Sequence, residues 1–277
     1  MKTLFLTDLD GTLLNERAEI SEFTKKQLQM MISDGLLFSV ATARTNATVL
    51  NMFSGVGLNL PFILMNGVVI YDPTENKNVK AYTIDHKDVD KIISIYEKYN
   101  KSPMLYLLRD GYLEILYKSV DNIHQQQYIN ARDNLKFKRF RKYSGKYIPE
   151  STDKIIYMVS LDKEDILTPI HREIVASGSV NCAFYKDNYT DCYFMESMNN
   201  SVSKGIAALE LKKLLGVDRI VAYGDNLNDI PMFKTADESY AVANACDELK
   251  KIATGVIDSN NNDGVVKHIL NKFSRGE

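Results

Sequence analysis

Several things are scarce in this 277-residue chain, and most of these scarcities remove a class of protein. No apolar run approaches the roughly 20 residues needed to span a bilayer, and the N-terminus goes straight into Leu4-Phe5-Leu6 with no signal-peptide pattern. The expectation is a cytoplasmic protein with no membrane partner. Charge of one sign is also lacking: 34 Lys and Arg stand against 36 Asp and Glu, a formal net charge of -2, which argues against nucleic acid as a partner. Cysteines number three (Cys182, Cys192, Cys246), and without metal-ligand spacing they read as reduced thiols rather than a disulfide framework. Repeats and low-complexity tracts are missing, and so is tryptophan, whose absence excludes nothing. What is left, at 45% hydrophobic, can bury a large core as one domain with a substantial insertion or as two domains.

The most informative stretch is Asp8-Leu9-Asp10-Gly11-Thr12, directly after that first apolar run. A buried strand followed at once by Asp and Gly reads as a central strand of a parallel sheet delivering acidic side chains to its carboxyl edge, where open α/β sheets place ligands. Residues i and i+2 of an extended segment share a side, so Asp8 and Asp10 would share a site. Two close carboxylates call for a hard divalent cation, or for divided labour as nucleophile and acid/base, or for both. A simple Asp-Gly turn is the competing explanation.

A second acidic strand end follows Arg219-Ile220-Val221-Ala222-Tyr223, in Gly224-Asp225-Asn226-Leu227-Asn228-Asp229. If the two strands are parallel neighbours, Asp225 and Asp229 join Asp8 and Asp10 around a point that a cation such as Mg²⁺ makes tolerable. Helix capping accounts for Asn228 and Asp229 equally well. Two further pieces suit an anionic ligand. Leu36–Ala41 is a strand-like run ending in Thr42-Ala43-Arg44-Thr45 before a helical pattern, which offers a hydroxyl and backbone N–H groups. Ser203-Lys204-Gly205 opens another helix, and a lysine in a first turn opposes the helix dipole unless its ammonium meets carboxylates or phosphate.

These four elements, in this order, resemble the four motifs of the haloacid dehalogenase superfamily of phosphohydrolases. Asp8-Leu9-Asp10-Gly11-Thr12 is similar to the first, Thr42 to the second, Lys204 to the third and Gly224–Asp229 to the fourth. Similarity to the Cof-type branch extends to Met65-Asn66-Gly67, Ser201–Gly205 and Asn262-Asp263-Gly264-Val265-Val266. Two departures stand out: Ala43 replaces the glycine usual after the motif-two threonine, and Ala241–Ala245 lacks the usual Met-Gly before Asn-Ala. Neither touches a carboxylate. The resemblance implies an α/β fold, a three-layer Rossmann-like parallel-sheet core with an inserted α+β cap of the larger type, antiparallel with helices on one face.

The coarse pattern agrees with an insertion. Strand and helix signals alternate from 1 to about 84, with strands at 2–7, 36–41 and 61–65 and a helix from Ser21 to Gly35. From about 85 the pattern changes to helices laid between hairpins, one turning at Asp110-Gly111 and one near Asp187-Asn188, before the chain returns around Met195. The expected domains are therefore 1–84 with 196–277 as core and 85–195 as cap. Within the latter, Arg132, Lys136, Lys138, Arg139, Arg141, Lys142 and Lys146 form a basic stretch. It reads as a solvated helix face and loop, with a site for a second anionic group of the substrate as the alternative. His86, His124, His171 and His268 are scattered and receive no catalytic role.

By resemblance, Asp8 is the nucleophile and forms an aspartyl-phosphate, and Asp10 is the general acid and base. Asp8, Asp10 (through its backbone carbonyl) and Asp225 hold Mg²⁺. Thr42, the Ala43 N–H, Lys204 and Asn228 bind phosphoryl oxygens, and Asp229 orients Lys204 or a metal-bound water. Arg44 is left between a substrate contact and a hinge role. The implied activity is a phosphatase acting on small phosphorylated metabolites, as a monomer or small homo-oligomer. A sugar phosphomutase and a non-catalytic phosphate-ligand binding protein are the alternatives.

Overall fold

The computed structural model describes residues 1–109, 112–133, 137–187 and 190–276. Asp110, Gly111, Lys136 and Asn188 of the sequence reading lie outside the described residues. The chain falls into two compact units, residues 1–80 with 203–277, and residues 81–202.

In chain order the elements are β1 (Thr3–Thr7), α1 (Glu22–Ser33), β2 (Leu37–Val40), α2 (Asn46–Met52), β3 (Phe62–Leu64), β4 (Val69–Asp72) and β5 (Lys77–Ala81). Then come α3 (His86–Lys98), β6 (Met104–Arg109), β7 (Tyr112–Tyr117), α4 (Ile123–Asn130), β8 (Lys138–Lys142), β9 (Ile155–Asp162), α5 (Glu164–Ser177), β10 (Asn181–Lys186) and β11 (Tyr193–Met198). The chain ends with α6 (Lys204–Leu215), β12 (Arg219–Gly224), α7 (Ile230–Thr235), β13 (Glu238–Val242), α8 (Asp247–Lys250), β14 (Gly255–Ile257) and α9 (Gly264–Ser274).

The first unit is an α/β fold around a parallel sheet ordered β14-β13-β12-β1-β2. β1 and β12 are apolar on both faces because both faces are covered: Leu4, Phe5, Leu6, Ile220, Val221, Ala222 and Tyr223 are all buried. Each large side chain so buried contributes roughly 1.5–3 kcal/mol. Strand order steps one way from β1 to β2 and the other way from β12 to β13. Right-handed crossovers then place helices on opposite faces and open a crevice at the carboxyl ends of β1 and β12. Ser21 starts α1, its hydroxyl accepting from the Thr24 N–H at 2.9 Å. Asp263, in the left-handed conformation, accepts from both the Ser21 and Thr24 hydroxyls at 2.5 and 2.9 Å, which ties the start of α9 to the start of α1. That is the physical task of Asp263 within Asn262-Asp263-Gly264.

The second unit is a six-stranded sheet ordered β10-β11-β9-β6-β7-β8. Ile84 donates its N–H to Ile155, and Ser197 and Met198 pair with Cys182 and Asn181, so both segments are part of this unit's framework. Two points differ from the sequence reading. Lys138–Lys142 is a strand, not a helix face or loop, and it runs parallel to β7 in an otherwise antiparallel sheet. Helices also occupy both faces. α3 and α5 bury Ile92, Tyr96, Leu167 and Ile170 against Leu105, Leu107, Met158 and Met195. The alternate residues Tyr106 and Phe194 point the other way and meet Tyr128 of α4.

Candidate active site

Three strand ends of the first unit converge. Asp8 follows β1 and donates its N–H to Tyr223 of β12 at 2.9 Å, which fixes its backbone beside the start of Gly224-Asp225. The residue is 5% exposed, and its carboxylate meets the Lys204 ammonium at 2.8 Å. Lys204, with no exposed side-chain surface, also donates to Asp229 Oδ1 at 2.7 Å. The lysine at the start of α6 is therefore held between two buried carboxylates. Burial would lower its pKa, but Asp229 and Asp8 more than offset this and raise it above the ordinary lysine value.

Asp229 serves two roles at once. Its other oxygen, Oδ2, accepts from the N–H groups of Asp225 and Asn226 at 3.0 and 3.1 Å and so closes the turn after β12, while it makes no side-chain cap to α7, the helix that the simpler reading of the sequence had it capping. Gly224 makes room for it, since a Cβ there would lie 2.6 Å from Asp229 Oδ2. Gly11, at φ +74°, does the same for Asp225, whose Oδ2 would be 2.3 Å from an added Cβ. Asp225 Oδ1 accepts from the Thr12 hydroxyl at 2.9 Å.

Asp8, Asp225 and Asp229 bring carboxylate oxygens within 4.8 Å of one another. Burial and the neighbouring acids push Asp8 well above the ordinary carboxylate range and push Asp225 up to about 6. Lys204 supplies one positive charge to three acids. The donor set is all oxygen and short of positive charge, which fits a hard divalent cation.

The Asp10 carboxylate is not part of this cluster. It is half exposed and bound by both prongs of Arg44, Nε to Oδ2 at 2.7 Å and the terminal nitrogen to Oδ1 at 2.6 Å. Thr42 is fully buried, with its hydroxyl accepting from the Arg44 N–H at 3.1 Å, while Ala43 beside it is exposed. Asn228 is exposed and donates to Asn66 Oδ1 at 3.2 Å. Met65 and Asn66 both adopt positive φ, a strained pair of non-glycine residues that presents Asn66 at the site edge. Gly67 backs them where a Cβ would lie 2.4 Å from the Ser203 carbonyl.

Sequence reasoning placed Asp8, Thr42, Lys204, Asp225 and Asp229 at these strand and helix ends. It missed the Arg44 grip on Asp10, because the reach of a long side chain is not encoded in spacing. It also missed Thr12, Asn66 and Asn244, whose side-chain amide donates to the Gly11 carbonyl at 2.7 Å. All three stand inside stretches quoted for the resemblance, which was the available signal. Of the basic stretch, Arg141 pairs with Glu114 at 2.7 Å, and Arg139 lies 4.3 Å over the Tyr112 ring.

Fold and site together define an α/β core that gathers carboxylates at the ends of its strands. The chain belongs to the haloacid dehalogenase-like hydrolases, whose family model matches residues 5–269. It is 24% identical, over 98% of its length and 97% of the relative's, to a 5-amino-6-(5-phospho-D-ribitylamino)uracil phosphatase of Bacillus subtilis (strain 168). Another protein of that organism, phosphatase YwpJ, is 29% identical over 96% and 99% of the two chains. The fold is shared with a haloacid dehalogenase-like hydrolase from Bacteroides thetaiotaomicron, at a TM-score of 0.77 and 21% identity over 98% and 99% of the chains. No described helix is long and apolar enough to cross a membrane.

Proposed function

We propose that this hydrolase is a Mg²⁺-dependent phosphatase of small phosphorylated metabolites that works through an aspartyl-phosphate on Asp8. The observation that carries the reading is the chain of contacts Asp8, Lys204, Asp229, which fixes a nearly buried carboxylate at the carboxyl end of the central strand. One Asp8 oxygen is engaged by the ammonium and the other is left for in-line attack on phosphorus. The O–P bond to the leaving alcohol breaks as the Asp8 O–P bond forms, and Asp10 gives the alkoxide its proton. Asp10 then takes a proton from water, whose oxygen displaces Asp8 and yields inorganic phosphate. Thr42, the Ala43 N–H, Lys204 and Asn228 hold the phosphoryl oxygens, and Asp229 keeps Lys204 aimed.

Asp8, the Asp10 carbonyl and Asp225 are the residues that would hold Mg²⁺. When bound, the ion offsets the repulsion between two anions and charge on the transferring group. Asp10 cannot act while both of its oxygens are bound to Arg44, so one prong must let go during turnover. The 81–202 unit is read as the cap, with its loops setting preference for the leaving group.

The test is Mg²⁺-dependent phosphate release from sugar phosphates, flavin mononucleotide, pyridoxal phosphate and 5-amino-6-(5-phospho-D-ribitylamino)uracil, beside an Asp8→Asn control. Turnover lost in the control supports the reading. Turnover that persists in it, or silence across the panel, counts against it.

A further inference from the structure

Two successive non-glycine residues in the left-handed conformation are rare, and Met65 and Asn66, at φ +51° and +56°, are such a pair. Strain of this kind persists only where the surroundings hold it, and here they hold it on three sides. The Met65 N–H donates to the Arg44 carbonyl at 3.1 Å, and the Asn66 N–H donates to the Thr42 carbonyl at 3.0 Å. Gly67 lies so close to the start of α6 that an added Cβ would stand 2.4 Å from the Ser203 carbonyl oxygen and 3.2 Å from the Lys204 backbone nitrogen. The Asn66 side chain reaches the third piece, its Oδ1 accepting from Asn228 Nδ2 at 3.2 Å. One three-residue turn thus touches the Thr42–Arg44 loop, the start of the helix that carries Lys204, and Asn228.

These contacts decide where hydrogen-bond donors point. A trans peptide sets its C=O and N–H in opposite directions, so fastening the Thr42 carbonyl to Asn66 turns the Ala43 N–H away from the turn. The carboxamide of Asn228 has an accepting end and a donating end. With one Nδ2 hydrogen given to Asn66, the second is left to donate, and the nitrogen end is held in place. Without an acceptor at position 66, this exposed amide can rotate and present its oxygen, which an anion repels. Glycine would meet the backbone requirement at position 66 with less strain, so what asparagine adds there is its carboxamide.

We propose that Asn66 is a positioning residue of the phosphate site: its side chain keeps the donor end of Asn228 towards the anion, while its backbone sets the direction of the Ala43 N–H. This role rests on the reading in which Asn228 and the Ala43 N–H hold phosphoryl oxygens.

The experiment uses the full chain, its Asn66→Gly and Asn228→Ala variants, and the double variant. Glycine keeps the left-handed turn with its two N–H bonds and removes only the carboxamide, so Asn66→Gly is expected to unfold at the parent's Tm or above it. Binding of inorganic phosphate in the presence of Mg²⁺ is measured by isothermal titration, and kcat and KM are measured for p-nitrophenyl phosphate. Asn66→Gly is expected to weaken phosphate binding about 3- to 10-fold and to raise KM by a similar factor with kcat little changed. That is the effect of one neutral hydrogen bond on a group held alike in substrate and transition state. In the Asn228→Ala background the same replacement should cost nothing more, because its carboxamide acts through Asn228. Equal phosphate binding by the parent and Asn66→Gly overturns the proposal, and so do losses that add in the double variant. A Tm well below the parent's would make Asn66 part of the framework and overturn it as well. Absence of turnover is read against Asp8→Asn and bears on the phosphatase reading, whereas the phosphate titration needs no turnover and judges Asn66 by itself.

Discussion

Lys204 is the residue whose loss the site can least absorb. Replaced by methionine, it leaves Asp8 and Asp229 buried side by side with no cation between them. Breaking a buried ion pair from one side costs about 3–5 kcal/mol, so Lys204→Met is expected to lose that much stability in urea denaturation without metal, along with its activity. A variant as stable as the parent would mean that the two acids are already protonated in the fold. Arg44 poses a finer question. It grips both oxygens of Asp10, so Arg44→Ala should cost alkyl phosphate esters about tenfold in kcat. p-Nitrophenyl phosphate, whose leaving group departs without a proton, should be affected much less. Equal losses on both would show that Arg44 acts on binding rather than through Asp10. At this scale the strand-end acids were legible because a buried strand dictates where its next residue goes. The Arg44 contact was not, because several rotatable bonds separate its head from its backbone.

The elements around the site are held by features that read differently in sequence and in space. Gly205 in the first turn of α6 should cost helix stability, yet a Cβ there would lie 2.2 Å from the Pro231 carbonyl, so its lack of a side chain is what lets α6 and α7 pack. β8 was misread because Lys138-Arg139-Phe140-Arg141-Lys142 shows no apolar alternation. It is an edge strand, and a charged edge resists pairing with a second sheet. β13 is clamped electrostatically: Glu238 takes the Tyr240 hydroxyl at 2.6 Å, Lys272 of α9 at 2.9 Å, and Arg219 of β12. Burial alone would raise its pKa, but these three partners together hold it at about 2 against an ordinary 4.5. A depressed acid contributes stability above its unfolded value and loses it as the pH falls through its folded one. The stability gap between the parent and Glu238→Gln should therefore close as pH is lowered from 4.5 towards 2, measured by thermal unfolding across that window. A gap independent of pH would place the effect in packing instead.

Across the whole molecule, the first unit is discontinuous and the second is not. β1 pairs with β12 from Thr3↔Arg219 to Thr7↔Tyr223, so the central ladder of the first unit's sheet closes only when the chain has come back from residues 81–202. Those residues form their own sheet and core from nearer neighbours, which favours their earlier formation. The change from alternating strands and helices to hairpins announced this insertion in the sequence, while its limits depended on pairings that no local pattern carries. Two cores with separate hydrogen-bond frameworks should unfold in two calorimetric transitions. A ligand that binds one native unit raises that transition alone, by about 2.7 kcal/mol at one hundred times its Kd. Mg²⁺ is expected to raise one transition in the parent and neither in Asp225→Ala. Magnesium that shifted neither transition of the parent would remove the carboxylate cluster as its site, and a shift surviving in Asp225→Ala would move the ion elsewhere in the chain.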